Sequence, residues 1–136
     1  MIVDTSAIVA ILRGEPDADR YVEALARATG PLVSASTYVE TAVVVDANHD
    51  PVLSGRLDDL FAATRLEVEP VTRHHAELAR QAYRYFGRGS GHPAGLNFGD
   101  CFAYSLARAT GRPLLYKGND FAHTDVASAL GPPESP

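Results

Sequence analysis

The apolar positions of this chain come in two kinds of run. Short uninterrupted ones, Ile2-Val3, Leu32-Val33 and Leu114-Leu115-Tyr116, are too brief for helices and read as buried strands. Between them, apolar residues recur every three or four positions, as in helices that bury one face. The first such stretch is Thr5–Leu12, with Ile8, Ile11 and Leu12 on one side. A second follows Pro16 and aligns Ala18, Tyr21, Val22, Leu25 and Ala26, until Gly30-Pro31 stops it. Residues 34–48 send mixed signals. Val43-Val44-Val45 favours a strand, but the segment is long for one and offers a helix start at Thr37, so a helix is predicted. Leu53, Leu57, Leu60 and Phe61 mark a further helix, and Leu66-Glu67-Val68-Glu69 alternates as a short strand. His75, Leu78, Ala79, Ala82, Tyr83 and Phe86 define a long amphipathic helix, with His75 inward and His74 in water. A glycine-rich stretch, 87–95, reads as a flexible rim. Asn97 then starts a helix expected to bury Phe98, Phe102, Ser105, Leu106 and Ala109, ended by Gly111 and Pro113. A last short strand is expected at 126–129.

Strands separated by helices need crossover connections and therefore pair in parallel. The predicted architecture is α/β, a three-layer α/β/α sandwich with a central parallel sheet. It forms a single domain over 1–130, followed by a disordered tail, GPPESP, at 131–136. A chain of 136 residues that is 46% apolar supplies one core. The single cysteine, Cys101, excludes an internal disulfide and suits a reducing cytoplasm. The start, MIVDTSAIVAILRG, has no basic leader and is a poor signal peptide. No apolar run approaches the ~20 residues that span a bilayer. A cytoplasmic protein without membrane contact is expected. The net charge of -5 argues against nucleic acid as a partner, unless bound metal neutralises some of the acids.

The acids are informative through their placement. Asp4 follows the first strand. Glu40 follows the second, in the first turn of the next helix, and Asp120 follows Leu114-Leu115-Tyr116. Open parallel sheets bind ligands in the crevice at the carboxyl ends of their strands, and Asp100, in the first turn of its own helix, can converge on that crevice. Each acid also has a plainer explanation. Asp4 can cap the helix after it. Thr37 and Glu40 match a capping box, as do Asn97 and Asp100, and Asp120 suits a turn. Capping alone, however, does not require four acids at one sheet edge. Carboxylates crowded together raise one another's pKa, and a hard divalent cation relieves the repulsion. Mg²⁺ takes one or two carboxylates, several waters and phosphate oxygens. The five histidines are scattered, and no Cys/His set has zinc spacing. Oxygen ligands in such a cleft suggest phosphodiester hydrolysis.

Several segments, taken in order, resemble one known family. Ile2-Val3-Asp4-Thr5-Ser6-Ala7 is similar to the opening of PIN-domain toxins of the VapC type. Ser36, Thr37 and Glu40 resemble the setting of that family's second acid. Phe98-Gly99-Asp100-Cys101-Phe102-Ala103-Tyr104 resembles its third-acid helix, and Lys117-Gly118-Asn119-Asp120-Phe121 with Thr124-Asp125 its C-terminal motif. The resemblance runs from residue 1 to about 130. It implies a Mg²⁺- or Mn²⁺-dependent endoribonuclease that leaves a 5′-phosphate and a 3′-hydroxyl, the toxin half of a toxin–antitoxin pair. It further implies Asp4 and Asp100 as main metal ligands and Glu40 as a further ligand or water activator. The fourth acid is Asp120 or Asp125, and Thr5 and Ser6 contact phosphate or support the ligands. Expected partners are RNA, a cognate VapB-type antitoxin and a second copy in a homodimer. The antitoxin is expected to set a basic side chain in the acidic crevice and to cover apolar surface with a helix.

Other features refine this picture. Arg73, Arg80, Arg84, Arg88, His92 and Lys117 are candidates for gripping RNA backbone, and Tyr85 for stacking a base, although an arginine row also suits a solvated helix face. Cys101 is expected to be a core residue rather than a nucleophile. Two alternatives stand beside the nuclease. A phosphoryl-accepting receiver-like domain shares the layout, with Lys117 as its lysine, but needs paired acids after the first strand, where only Asp4 stands, and an acid where Pro70 stands. A non-catalytic RNA-binding PIN module would not need the full acidic set.

Overall fold

The computed structural model describes residues 1–132; the expected tail beyond that, 133–136, lies outside the described residues. The chain alternates as the apolar runs predict. Strand β1 (Ile2–Val3) leads into helices α1 (Thr5–Leu12) and α2 (Ala18–Arg27). Then come β2 (Leu32–Ser34), α3 (Ala35–Asp46), α4 (Pro51–Thr64) and β3 (Glu67–Glu69). Helices α5 (Arg73–Phe86) and α6 (Phe98–Thr110), β4 (Leu114–Leu115) and a short 3₁₀ turn (Phe121–His123) complete the order. Local chemistry sets the helix starts. Asp4 caps α1, Asp50 caps α4 ahead of Pro51, and Thr72 caps α5 by accepting from the His75 N–H. Helix α6 opens on a capping box, in which Asn97 and Asp100 each accept the other's backbone N–H, and closes on Gly111 in the left-handed region at φ 67°.

The four strands form one parallel sheet in the order β3-β2-β1-β4. Alternation along two-residue strands is enough to feed two cores. Ile2 and Leu114 point to one face, where they pack with Ala79, Ala82, Ala103 and Leu106 of α5 and α6. Val3, Val33 and Leu115 point to the other, where Ile8, Leu25, Val45 and Leu57 of α1–α4 cover them. The result is the expected three-layer α/β/α sandwich. Among the described residues, no helix is long and apolar enough to cross a membrane.

Several local expectations need correction. Residues 126–129 form no strand; only Ser128 makes an isolated bridge to Leu114. Val22 and Ala26 of α2 are exposed, so that helix buries a narrower stripe of Ala18, Tyr21 and Leu25. Phe98 was expected inside and is 76% exposed, because the capping box makes it the first helical residue of α6 and turns it off the core face. The glycine-rich stretch 87–95 makes several local contacts. Gly87 bridges Leu96, the Ala94 N–H donates to His92 Nδ1, and the His92 ring meets Phe86 edge-on at 4.9 Å. Helix α3 starts at Ala35 with Ser34 at its cap position, so Glu40 lies in the second turn rather than the first, and Thr37 caps nothing.

Candidate active site

From β1 the chain crosses one way to β2 and β3, then returns to the other side of β1 for β4. The reversal opens a crevice at the carboxyl ends of β1 and β4. Asp4 stands at its base, buried. Its backbone N–H donates to the Leu115 carbonyl at 3.0 Å, which fixes it against β4. Its Oδ2 accepts from the Ser6 N–H at 3.0 Å and from the Ser6 hydroxyl at 2.6 Å, so the capping role is real. The Ser6 oxygen in turn accepts the Lys117 N–H at 2.9 Å, which ties the exit of β4 to the same carboxylate. The other oxygen, Oδ1, is buried and has no hydrogen-bond partner among the described residues. Asp4 is only 3% exposed. Burial raises its pKa, against the Ser6 bonds, and the Glu40 charge raises it further.

Asp100 reaches the crevice from the first turn of α6. Its Oδ2 accepts the Asn97 N–H at 3.0 Å. Burial pushes its pKa up to about 6, against that bond, and the charges of Asp4, Asp120 and Glu40 add to the rise. Glu40 comes from α3 and makes no capping bond. Its Oε1 accepts from the Thr5 hydroxyl at 2.7 Å, and Thr5 lies 2.9 Å from the Thr41 hydroxyl, which donates to the Thr37 carbonyl. Thr5 and Ser6 therefore hold Glu40 and Asp4 in place. Asp120 is exposed, caps nothing, and sits close enough for its charge to act on Asp100. The structure thus gathers Asp4, Glu40, Asp100 and Asp120. It leaves Asp125 aside, accepting from the Tyr104 hydroxyl at 2.7 Å and lying 3.7 Å from Arg108.

Gly99 was not singled out from the sequence, yet it shapes the site. A Cβ at this position would collide with the Glu40 carboxylate, so the missing side chain lets Glu40 press against the start of α6. The only sequence signal was a small residue directly before Asp100. Lys117, a candidate for gripping RNA backbone, instead directs its ammonium to acids of the chain, donating to Asp17 at 2.8 Å and Glu15 at 2.5 Å. That removes the lysine a receiver domain needs. Cys101 is buried, its thiol lies 3.3 Å from the Asn97 carbonyl, and burial with the Asp100 charge pushes its pKa up to about 11. It is a core residue and not a nucleophile.

Among the described residues, no three acid, histidine or cysteine side chains already close around one point as a ligand shell. The donor set is all oxygen and open, which suits an ion that keeps waters and shares phosphate oxygens. The unpartnered Oδ1 of Asp4 supplies the fit. A buried carboxylate oxygen without a donor needs a proton or a cation.

A parallel α/β/α sandwich with carboxylates gathered at its switch point is the arrangement of one nuclease-like class. The PIN-domain family profile matches residues 1–127, and the chain belongs to the PIN-domain family, in its VapC group. It is 58% identical over 130 residues to Ribonuclease VapC28 of Mycobacterium tuberculosis, spanning 96% of this chain and 98% of that relative. Ribonuclease VapC42 of the same organism is 49% identical over 95% of this chain and 98% of its own length. Among solved structures, Mycobacterium tuberculosis VapC20, described as a sarcin–ricin loop cleaving toxin, has a TM-score of 0.70. It is 19% identical, over 93% of this chain and 95% of that one. A toxin–antitoxin complex from Klebsiella pneumoniae gives a TM-score of 0.66 at 18% identity, over 89% of each chain. These two likenesses concern the fold.

Proposed function

We propose that this chain is a divalent-metal-dependent endoribonuclease, the toxin half of a cytoplasmic VapBC-type toxin–antitoxin pair. The observation that carries the proposal is the buried, donorless oxygen of Asp4 beside Asp100, whose own proton is held up to about pH 6 by burial and neighbouring acids. Asp4 and Asp100 are the residues that would hold Mg²⁺ or Mn²⁺, with Glu40 and Asp120 completing the negative rim. When bound, such an ion acidifies water and neutralises charge on phosphoryl oxygens. Thr5 occupies one oxygen of Glu40, leaving the other to accept a proton from the attacking water. Ser6 fixes the Asp4 rotamer while leaving Oδ1 for the ion. The capping box fixes Asp100 in the same way through its other oxygen. Cleavage in this manner leaves a 5′-phosphate and needs no covalent enzyme intermediate. The test is a labelled single-stranded RNA incubated with Mg²⁺, with EDTA, and with Mg²⁺ restored. Cleavage is expected in the first and third, and cleavage that persists in EDTA refutes the metal.

The names of the relatives, together with the negative crevice, support a VapB-type antitoxin as inhibitor; the homodimer follows from the resemblance alone. An arginine from the antitoxin would neutralise the acids and take the ion's place. Changing each basic residue in the C-terminal half of the co-encoded partner tests this. If none of those changes weakens inhibition, the antitoxin does not work by filling the crevice.

A further inference from the structure

A groove of about 800 Å³ lies between α5 and α6, and Asn97, the residue that fixes Asp100, is part of its lining. Its floor is apolar, made by Ala79, Tyr83, Phe98, Cys101 and Phe102. Arg80, Arg84 and Arg88 line it as well. In a chain of net charge -5, these three arginines are exposed and form no ion pair among the described residues. The acid nearest them on α5, Glu77, is taken by Arg73 at 3.1 Å. Phe98 is the largest apolar side chain left in water here. It meets Phe102 edge-on, with centroids 5.0 Å apart, and its backbone is fixed by the capping box. Tyr83 is 47% exposed in the same groove.

We propose that this groove is the track for a single-stranded segment of the RNA substrate, with Phe98 stacking a base next to the scissile phosphate and Arg80 and Arg84 holding backbone phosphates. The proposal rests on the ribonuclease assignment above and adds where the substrate lies. Rigid aromatic faces beside a cationic row are what single-stranded nucleic acid binds without sequence readout. Arg80 and Arg84 are one helical step of four residues apart, about 6 Å along the axis, so they can serve neighbouring phosphates. Asn97, which lines the groove, is hydrogen-bonded to Asp100, so a strand in the groove lies beside the acid cluster. A protein occupant would have to bring acids for all three arginines, whereas RNA brings a charge with every nucleotide.

The test uses the full chain carrying Asp100→Asn, so that RNA is bound without being cut and the site repels it less. Binding of a fluorescent single-stranded RNA oligonucleotide is followed by anisotropy across a salt series. Phe98→Ala is expected to weaken binding roughly tenfold or more, while Phe98→Tyr restores it. Arg80→Ala with Arg84→Ala is expected to reduce the slope of log K against log salt by roughly 1.4, about 0.7 for each phosphate lost. Phe98 is exposed, so an unchanged melting temperature confirms that Phe98→Ala is folded. Unchanged affinity and slope in both variants overturn the proposal. So does a loss confined to self-association or antitoxin inhibition, which would make the groove a protein-docking face. If the wild-type chain cuts RNA while the groove variants bind like their parent, only the track fails. If the wild-type chain cuts no RNA, the ribonuclease assignment fails instead.

Discussion

Asp4 serves two masters through its two oxygens, and Asn can replace it in only one of those roles. The Oδ2 side, bound to Ser6, caps α1, and an amide oxygen can still accept there. The Oδ1 side is the donorless position. Asp4→Asn is therefore expected to fold and to lose RNA cleavage by roughly hundredfold or more. Wild-type rates in this variant would remove Asp4 from the site. The fourth acid is separable by the same logic. Asp125 is engaged by Tyr104 and Arg108, while Asp120 makes no side-chain hydrogen bond or ion pair among the described residues and its charge reaches Asp100. Asp120→Asn should lower the cleavage rate. Asp125→Asn should cost about 1 kcal/mol of stability and leave the rate near wild type. Paired melting curves and rate assays decide between them, and the opposite pattern would reverse the assignment. Nothing in the spacing of Asp120 and Asp125 could have made this choice, because the partner that claims Asp125 comes from another element.

At the scale of elements, the site depends on how closely α3 approaches α6. Gly99 permits that approach, and the atom a Cβ would strike is the far end of the Glu40 side chain rather than backbone. Gly99→Ala should therefore swing the carboxylate away and break the Thr5 bond instead of prising the helices apart. The expected cost is about 1 kcal/mol, with a clear drop in cleavage. In an Glu40→Ala background the clash has no partner, so the same substitution should cost almost no stability, a non-additivity that a double-mutant cycle measures. Equal costs in both backgrounds would show that Gly99 matters for another reason. The strands and the acids after them were legible in the sequence because adjacent aliphatics can only be buried between two layers, and whatever follows them emerges at the sheet edge. Glu40 was legible as an acid near the sheet edge but not in its turn of the helix, since Ser34 starts α3 without a side-chain capping bond. Phe98 was misplaced because helical periodicity ignores where a capping box sets the first residue.

Across the whole molecule, the gathered acids store repulsion that pH and metal release in different ways. Asp4 and Asp100 both have pKa values raised on folding, Asp100 to about 6 from an ordinary 3.8. A carboxyl raised in the native state binds more protons there than in the unfolded chain, so stability falls as pH rises, and for Asp100 the fall runs from 3.8 to about 6. Asp100 is partly solvated, which screens its share to about 1 kcal/mol, or roughly 4 °C in melting temperature. Asp17 works in the opposite sense. Its hydrogen bond with Lys117 holds its pKa low, so its contribution is present above the ordinary carboxylate range and fades in acid. The metal-free protein should accordingly melt at a higher temperature at pH 5 than at pH 7. Asp100→Asn should flatten that decline, because the amide keeps the Asn97 bond without the charge. Mg²⁺ at 100 times its dissociation constant should raise stability at pH 7 by about 2.7 kcal/mol, and by much less at pH 5, where protons compete for the same oxygens. Calorimetric melts at both pH values, with EDTA and with Mg²⁺, check this. Equal melting temperatures at pH 5 and 7 in EDTA, together with no response to Mg²⁺, would mean that the carboxylates are too far apart to act as one site.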